Sequence, residues 1–143
     1  AGAVLDVTGR LRGTELALAE HGLKAYHMAP RTISSVALGR QMFLQMQQTR
    51  PDIDAIFCTN DDLAVGVLLE CQAQGKAVPQ EIAIAGFHGL EIGRARLQKI
   101  ASVITPRYEI GKTASEILIA RLTGKDAPDS VNLAYQIYYG DTL

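Results

Sequence analysis

Three short polar tips stand where chemistry could occur: Thr59-Asn60-Asp61-Asp62, Phe87-His88-Gly89 and Thr105-Pro106-Arg107. Each follows an apolar run. Amides, hydroxyls and an imidazole both donate and accept hydrogen bonds, so the tips suit a polyol. Arg10 and Arg12, two residues apart at the opening of a helix, add the chemistry for an anion. A guanidinium aimed into a cleft grips a carboxylate through its fork of donors. Each residue also has an ordinary reading. Thr59 and Asn60 are good N-caps, and Asp61 and Asp62 suit the positive end of a helix dipole. A lone histidine such as His88 is commonly a hydrogen-bonded surface or half-buried residue, and single arginines are commonly solvated.

No catalytic set assembles from these types. There is no Gly-x-Ser-x-Gly turn, no phosphate-cradling glycine loop and no His-Glu-x-x-His pattern. Gly86-Phe87-His88-Gly89 is not a dinucleotide fingerprint. Asp61 and Asp62 are adjacent, so on a helix their side chains diverge and cannot work as a paired acid and base. No cofactor, metal or enzymatic activity is expected.

The elements that must carry the tips follow from periodicity. Arg10–Glu20 reads as a helix ending near Gly22, and Ala25–Met28 as a short apolar strand. Ser34 and Ser35 can cap a helix that runs to Thr49, and Pro51 stops it. Strands are expected at Asp54–Cys58, Ile82–Phe87 and Ala101–Ile104, with helices at Asp61–Gln74 and Tyr108–Leu122. Val131–Tyr139 alternates like a late strand; Pro30–Thr32 and Ala127–Ser130 read as loops. Strands separated by helices in this rhythm predict an α/β fold, a parallel sheet with helices on both faces. In such sheets ligands bind beyond the carboxyl ends of the strands, which is where the three tips lie.

Two helices make further demands. Asp61–Gln74 is apolar nearly all round, so it must bury more than one face, either in the core or against a partner subunit. Tyr108–Leu122 carries the stripe Ile110, Ala114, Ile117, Leu118 and Leu122, which needs something to pack on.

Composition limits the partners. The chain has 143 residues, the size of one domain, and 48% of them are apolar, enough for an aliphatic core. The net charge is −1 with no basic block, so the chain itself lacks the dense positive face that nucleic acid requires. No apolar run approaches the ~20 residues that cross a bilayer, and nothing at Ala1 resembles a signal segment. Cys58 and Cys71 lack metal-ligand spacing and fall in apolar patterns. They are expected to be reduced, buried thiols of a cytoplasmic protein, although spacing alone does not exclude a disulfide.

Several segments carry a resemblance. Arg10-Leu-Arg-Gly13, Ala55-Ile-Phe-Cys-Thr-Asn-Asp-Asp-Leu-Ala64, Gly75-Lys-Ala-Val-Pro79, Ile84-Ala-Gly-Phe-His88 and Ser102-Val-Ile-Thr-Pro106 occur in order. They resemble the carboxyl-terminal half of the LacI/GalR family of transcription regulators over essentially the whole chain. Within it, Phe57–Asp62 and Ala83–Gly89 are most similar to regulators of gluconate and idonate operons, and Tyr135–Gly140 leans toward the idonate type.

The resemblance implies a type I periplasmic-binding-protein-like, two-lobed effector domain. Residues 1–104 and 130–143 are expected in the carboxyl-terminal lobe. Residues 105–129 are expected to be a crossover helix that packs in an amino-terminal lobe not contained in this chain. The DNA-reading headpiece is likewise expected elsewhere, so operator DNA would be met only through it. The implied partners are a sugar-acid effector and further copies in a homodimer or higher oligomer, through the Asp61–Gln74 helix and the Leu90–Arg94 region. No membrane partner is implied.

The resemblance assigns Arg10 and Asn60 to effector contact, and Arg12 lies beside them. His88 stands where many relatives carry an aspartate for sugar hydroxyls; a carboxylate there would repel a sugar acid, whereas a histidine can donate or carry charge. Ser34 replaces an aromatic platform, which fits an open-chain ligand. Thr105, with Arg107, lies on the segment that crosses between lobes. Gluconate, idonate or a ketogluconate is the expected effector. A periplasmic-type solute-binding protein is the alternative on the same architecture; a sugar-acid enzyme is disfavoured for want of acid, base, metal or phosphate apparatus.

Overall fold

The structure, a computed structural model, describes residues 5–29 and 32–143, with only the backbone described for residues 5–8. The expected loop at Pro30–Thr32 therefore lies partly outside the described residues. The elements are α1 (Leu5–Glu20), α2 (Val36–Thr49), β1 (Ala55–Phe57), α3 (Asp61–Ala73), β2 (Ala83–His88), α4 (Glu91–Arg94), β3 (Ala101–Ile104), α5 (Arg107–Leu122) and β4 (Gln136–Tyr138). They form one sheet in the order β1-β2-β3-β4.

Local chemistry starts and stops the helices. The Ser35 hydroxyl accepts from the Leu38 N–H at 3.1 Å and opens α2. Asn60 Oδ1 accepts from the Asp62 N–H at 2.9 Å and opens α3, with Asp61 and Asp62 in its first turn. Gly75, at a φ of +70°, lets the chain leave α3 in the left-handed conformation that glycine adopts without strain.

β1, β2 and β3 pair in parallel, with Ala55 opposite Ala83 and Ala85 opposite Ala101. β4 is antiparallel, so the sheet is mixed where a parallel one was expected. Its first residue, Gln136, pairs with Ile104, the last of β3. The chain thus re-enters the sheet at the end where β3 left it, and β4 must run back down. The broad run Val131–Tyr139 contracts to these three paired residues, because only they reach β3.

α3 lies at the centre of the core. Ala64, Val65, Val67, Leu68 and Cys71 are all buried, together with Phe43 of α2 and Ile84 of β2. Its several apolar faces are taken up inside the chain by α2, β2 and α4. The contact with α2 is made at backbone distance. A Cβ on Gly39 would lie 2.3 Å from the Leu63 carbonyl oxygen, and one on Gly66 would lie 2.2 Å from that of Val36. Arg40 and Glu70 close the outer side, with Arg40 Nε donating to Glu70 Oε2 at 2.9 Å. Hydrogen bonds from Gln74 and from Arg40 hold the Glu70 carboxyl below its usual range.

One expected element is corrected. Ala25–Met28 forms no strand: residues 23–29 have no ladder. Tyr26 is drawn instead to the end of α2, where the Arg50 guanidinium lies 5.3 Å from its ring and its hydroxyl meets Thr49 Oγ1 at 3.3 Å. Between this segment and the β1 edge lies a cavity of about 940 Å³. The short helix α4, unanticipated, is one turn that packs Gly93 against Ile100. The α5 helix forms as expected, but none of its residues is buried, and Tyr108, Ile110, Leu118, Ile119 and Leu122 face outward.

The glycine crossing gives a stability test. Gly66→Ala forces a methyl into backbone that cannot yield, and should lower stability by about 2 kcal/mol or more. Gly111→Ala, in open space on α5, should leave it unchanged or raise it by about 0.5 kcal/mol. Urea midpoints of both variants check this; equal midpoints would show that the helices do not meet at Gly66.

Candidate functional site

The three tips converge at the carboxyl ends of β1, β2 and β3. Parallel strands in register make this unavoidable, because Phe57, His88 and Ile104 end neighbouring strands on the same edge of the sheet. Thr59 and Asn60 follow β1, His88 ends β2, and Thr105 follows β3.

Arg10 joins them from α1. Its Nη1 donates to the Thr59 carbonyl oxygen at 2.6 Å, and its guanidinium carbon lies 4.5 Å from the centre of the Phe87 ring. The ring is held edge-on by Phe57, with centroids 6.3 Å apart, and meets the His88 imidazole at 5.0 Å. An arginine laid on an aromatic face and tied at one nitrogen has its fork pre-aimed, with less side-chain entropy left to lose on binding an anion.

Arg10, Ser34, Asn60 and His88 all line the cavity that opens beside β1. Thr105 stands behind His88, with its Oγ1 3.3 Å from Nδ1. Arg12 is not brought in: it lies on the exposed face of α1, two residues round from Arg10. Asn60 caps α3 through Oδ1 while its side chain lines the cavity, so capping and ligand-facing placement coexist.

Position 88 is strained. His88 has a φ of +97°, where a side chain is disfavoured. Such conformations persist only where surrounding bonds over-determine them. Here Gly89 N–H donates to Ser102 Oγ at 3.0 Å, and Leu90 N–H donates to Asp61 Oδ2. The residue types of the tips give Asp61 a helix-dipole role and Thr59 a capping role; the burial of Asp61 beside Gly86 and the use of the Thr59 carbonyl and the Phe87 ring by Arg10 come from the tertiary contacts.

Cys58, just before the tip, is buried. Burial first, then the charge of Asp61, pushes its thiol up to about 12; burial pushes Cys71 up to about 11. Both are free thiols. Among the described residues no group of His, Cys, Asp and Glu could hold a metal ion, and no helix is long and apolar enough to cross a membrane.

A mostly parallel sheet with core helices and a polar rim at its carboxyl edge is the architecture of a periplasmic-binding-protein-like lobe. The comparisons agree. The model of the periplasmic binding protein-like domain matches residues 6–143. The chain is 47% identical over 135 residues to the HTH-type transcriptional regulator IdnR of Escherichia coli, covering 94% of this chain and 41% of that protein. It is 39% identical over 133 residues to the regulator GntR of the same organism, covering 92% of this chain and 40% of that one. The crystal structure of the transcription regulator GntR from Chromobacterium violaceum superposes with a TM-score of 0.90 at 34% identity, over 95% of this chain and 51% of that one. The chain belongs to the periplasmic binding protein-like domain family, and it is similar to part of each of these transcription regulators. It spans about two fifths of the length of the curated regulators it matches.

Two measurements test the site. His88→Gly and His88→Ala both lose the imidazole, but only glycine relieves the strain, so the Gly variant should be the more stable by about 1 kcal/mol in thermal unfolding. Indistinguishable stabilities would mean that position 88 is not strained. A chromogenic disulfide at pH 8 should find neither thiol in the folded chain within minutes and two after denaturation; rapid reaction of Cys58 in the native state would refute its burial.

Proposed function

We propose that this chain is the sugar-acid-sensing part of a transcription regulator, and that its effector is gluconate, idonate or a ketogluconate. The observation that carries the reading is the convergence of Arg10, Asn60 and His88 on one cavity at the strand ends, with Arg10 pre-aimed by Phe87. The relatives IdnR and GntR are HTH-type transcriptional regulators, which supports the regulator part of the reading.

In this reading Arg10 takes the carboxylate of the ligand through its fork. Asn60 and His88 hydrogen-bond the hydroxyls, and Thr105 holds the imidazole in place. Ser34 leaves open the space that a ring-stacking aromatic would fill. Residues 1–104 and 130–143 form one wall of the cleft, and a second lobe supplies the other. The exposed stripe of α5, residues 107–122 within the 105–129 crossover, packs against that lobe or against a second copy. Effector binding shifts the population between two lobe arrangements, because the ligand contacts them unequally. The assembly is a dimer or higher oligomer in the cytoplasm, and operator DNA is bound by a headpiece outside these residues.

Calorimetric titration of the two-lobed protein with gluconate, idonate and 5-ketogluconate tests this. Heat is expected with at least one acid, and silence with all three would remove the sugar-acid claim. Arg10→Ala should then weaken binding of the acid by about tenfold or more, through loss of a charge-assisted pair, and binding of the matching neutral polyol by less. Equal weakening would mean that Arg10 does not read the carboxylate.

A further inference from the structure

The Asp61 carboxylate is buried, 1% exposed, at the first turn of α3. Oδ1 accepts the Ser102 hydroxyl at 2.7 Å, and Oδ2 accepts the Leu90 N–H. The Ser102 oxygen accepts in turn from the Gly89 N–H at 3.0 Å. The group fits only because β2 has no side chain at Gly86, where a Cβ would lie 2.2 Å from Oδ1. These bonds join three elements, and each carries one of the candidate ligand residues close by. Asn60 precedes Asp61, His88 precedes Gly89, and Thr105 lies three residues beyond Ser102.

We infer that Asp61 and Ser102 are positioning residues for the effector site, holding His88 in its left-handed conformation and fixing its imidazole relative to Asn60 and Thr105. The inference deepens the sugar-acid reading and rests on it for its ligand. The chemistry selects these side chains. Leu90 N–H and the Ser102 hydroxyl both donate, and a carboxylate offers an acceptor to each. An amide at position 61 would offer one acceptor and one donor. A hydroxyl at position 102 is needed because it must accept from Gly89 while donating to Asp61; an alanine removes the partner of the Gly89 N–H and of Asp61 Oδ1, while Oδ2 keeps the Leu90 N–H. The positive end of α3 favours the buried negative charge. With the turn so held, the strain at His88 is borne by the bonds just beyond it, and the imidazole projects from a fixed backbone toward Thr105.

The test uses Ser102→Ala, with Asp61→Asn as a second variant that keeps the shape should the first not fold. One arm needs no ligand. Amide exchange at Gly89 and Leu90 should quicken by about tenfold or more in either variant, while Val65 and Leu68 in the middle of α3 keep their protection. Unchanged exchange at Gly89 and Leu90, or equal loss of protection along α3, would overturn the pin. The second arm titrates the two-lobed protein with gluconate, idonate and 5-ketogluconate and the matching neutral polyols. Ser102→Ala should lower affinity for the acid and for the matching neutral polyol alike, by about tenfold, because His88 meets hydroxyls that both ligands carry. In a His88→Ala background Ser102→Ala should change neither. Affinities that Ser102→Ala leaves unaltered, or an equal effect with and without His88, would show a merely structural pair. If the unaltered protein binds none of the acids, the sugar-acid reading falls, and the exchange arm alone decides whether the pin exists.

Discussion

α3 must be buried on nearly every side, and the rest of the chain is arranged around that requirement. Its residues Ala64, Val65, Val67, Leu68 and Cys71 cannot be left in water, and no single neighbour can cover them all. α2 covers one side, and it comes near enough only because Gly39 and Gly66 bring the two backbones into contact. β2 covers another, with Gly86 giving way to Asp61 and Ala64, and α4 packs beside it. Glycine therefore stands where α2 and β2 come closest to α3. Each lacks the one atom that would push the neighbour away, and volume gained there is felt at once in a densely packed interior.

The same helix places the candidate site. Its amino terminus points to the carboxyl ends of the strands, so the residues that cap it are also residues that face the cleft. Asn60 satisfies a backbone N–H with one atom and lines the cavity, and Asp61 turns inward to hold the neighbouring tip. Rigid burial below and polar tips above are two aspects of one arrangement. The strain at His88 is tolerable because the groups beside it are tied to the most buried part of the molecule. Where no such tie exists, as along α5 or between residues 23 and 29, the chain shows outward-facing apolar groups and an open cavity instead.

Much of this was legible in the residues. The cores of α2, α3, α5, β2 and β3 followed from periodicity and caps, with Ser35 and Asn60 as the starting signals and Pro51 and Gly75 as the stops. The strand ends were legible as a candidate site because parallel sheets present ligands there. The misreadings share a cause. Ala25–Met28 has the composition of a strand, but a strand exists only with a ladder partner, and Tyr26 found its contacts at the end of α2. The direction of β4 depended on where α5 returned the chain, which no local pattern records. Arg12 has the same side chain as Arg10 and a helical position two residues on, yet it faces solvent, because that step turns it well away from Arg10's face.

Sequence alone determined the kinds of group available at the strand ends: an arginine, an amide and an imidazole, with no acid–base pair, metal cluster or phosphate loop. That follows from side-chain chemistry and the period of the elements, both of which are local. Tertiary structure decided which of these groups meet and how firmly they are held. The pairing of Arg10 with Phe87 and Thr59, the link from Asp61 through Ser102 to the His88 turn, and the slot at Gly86 join residues tens of positions apart. Contacts of that range form only when the sheet register and the burial of α3 have fixed the distances, so no stretch of sequence encodes them by itself.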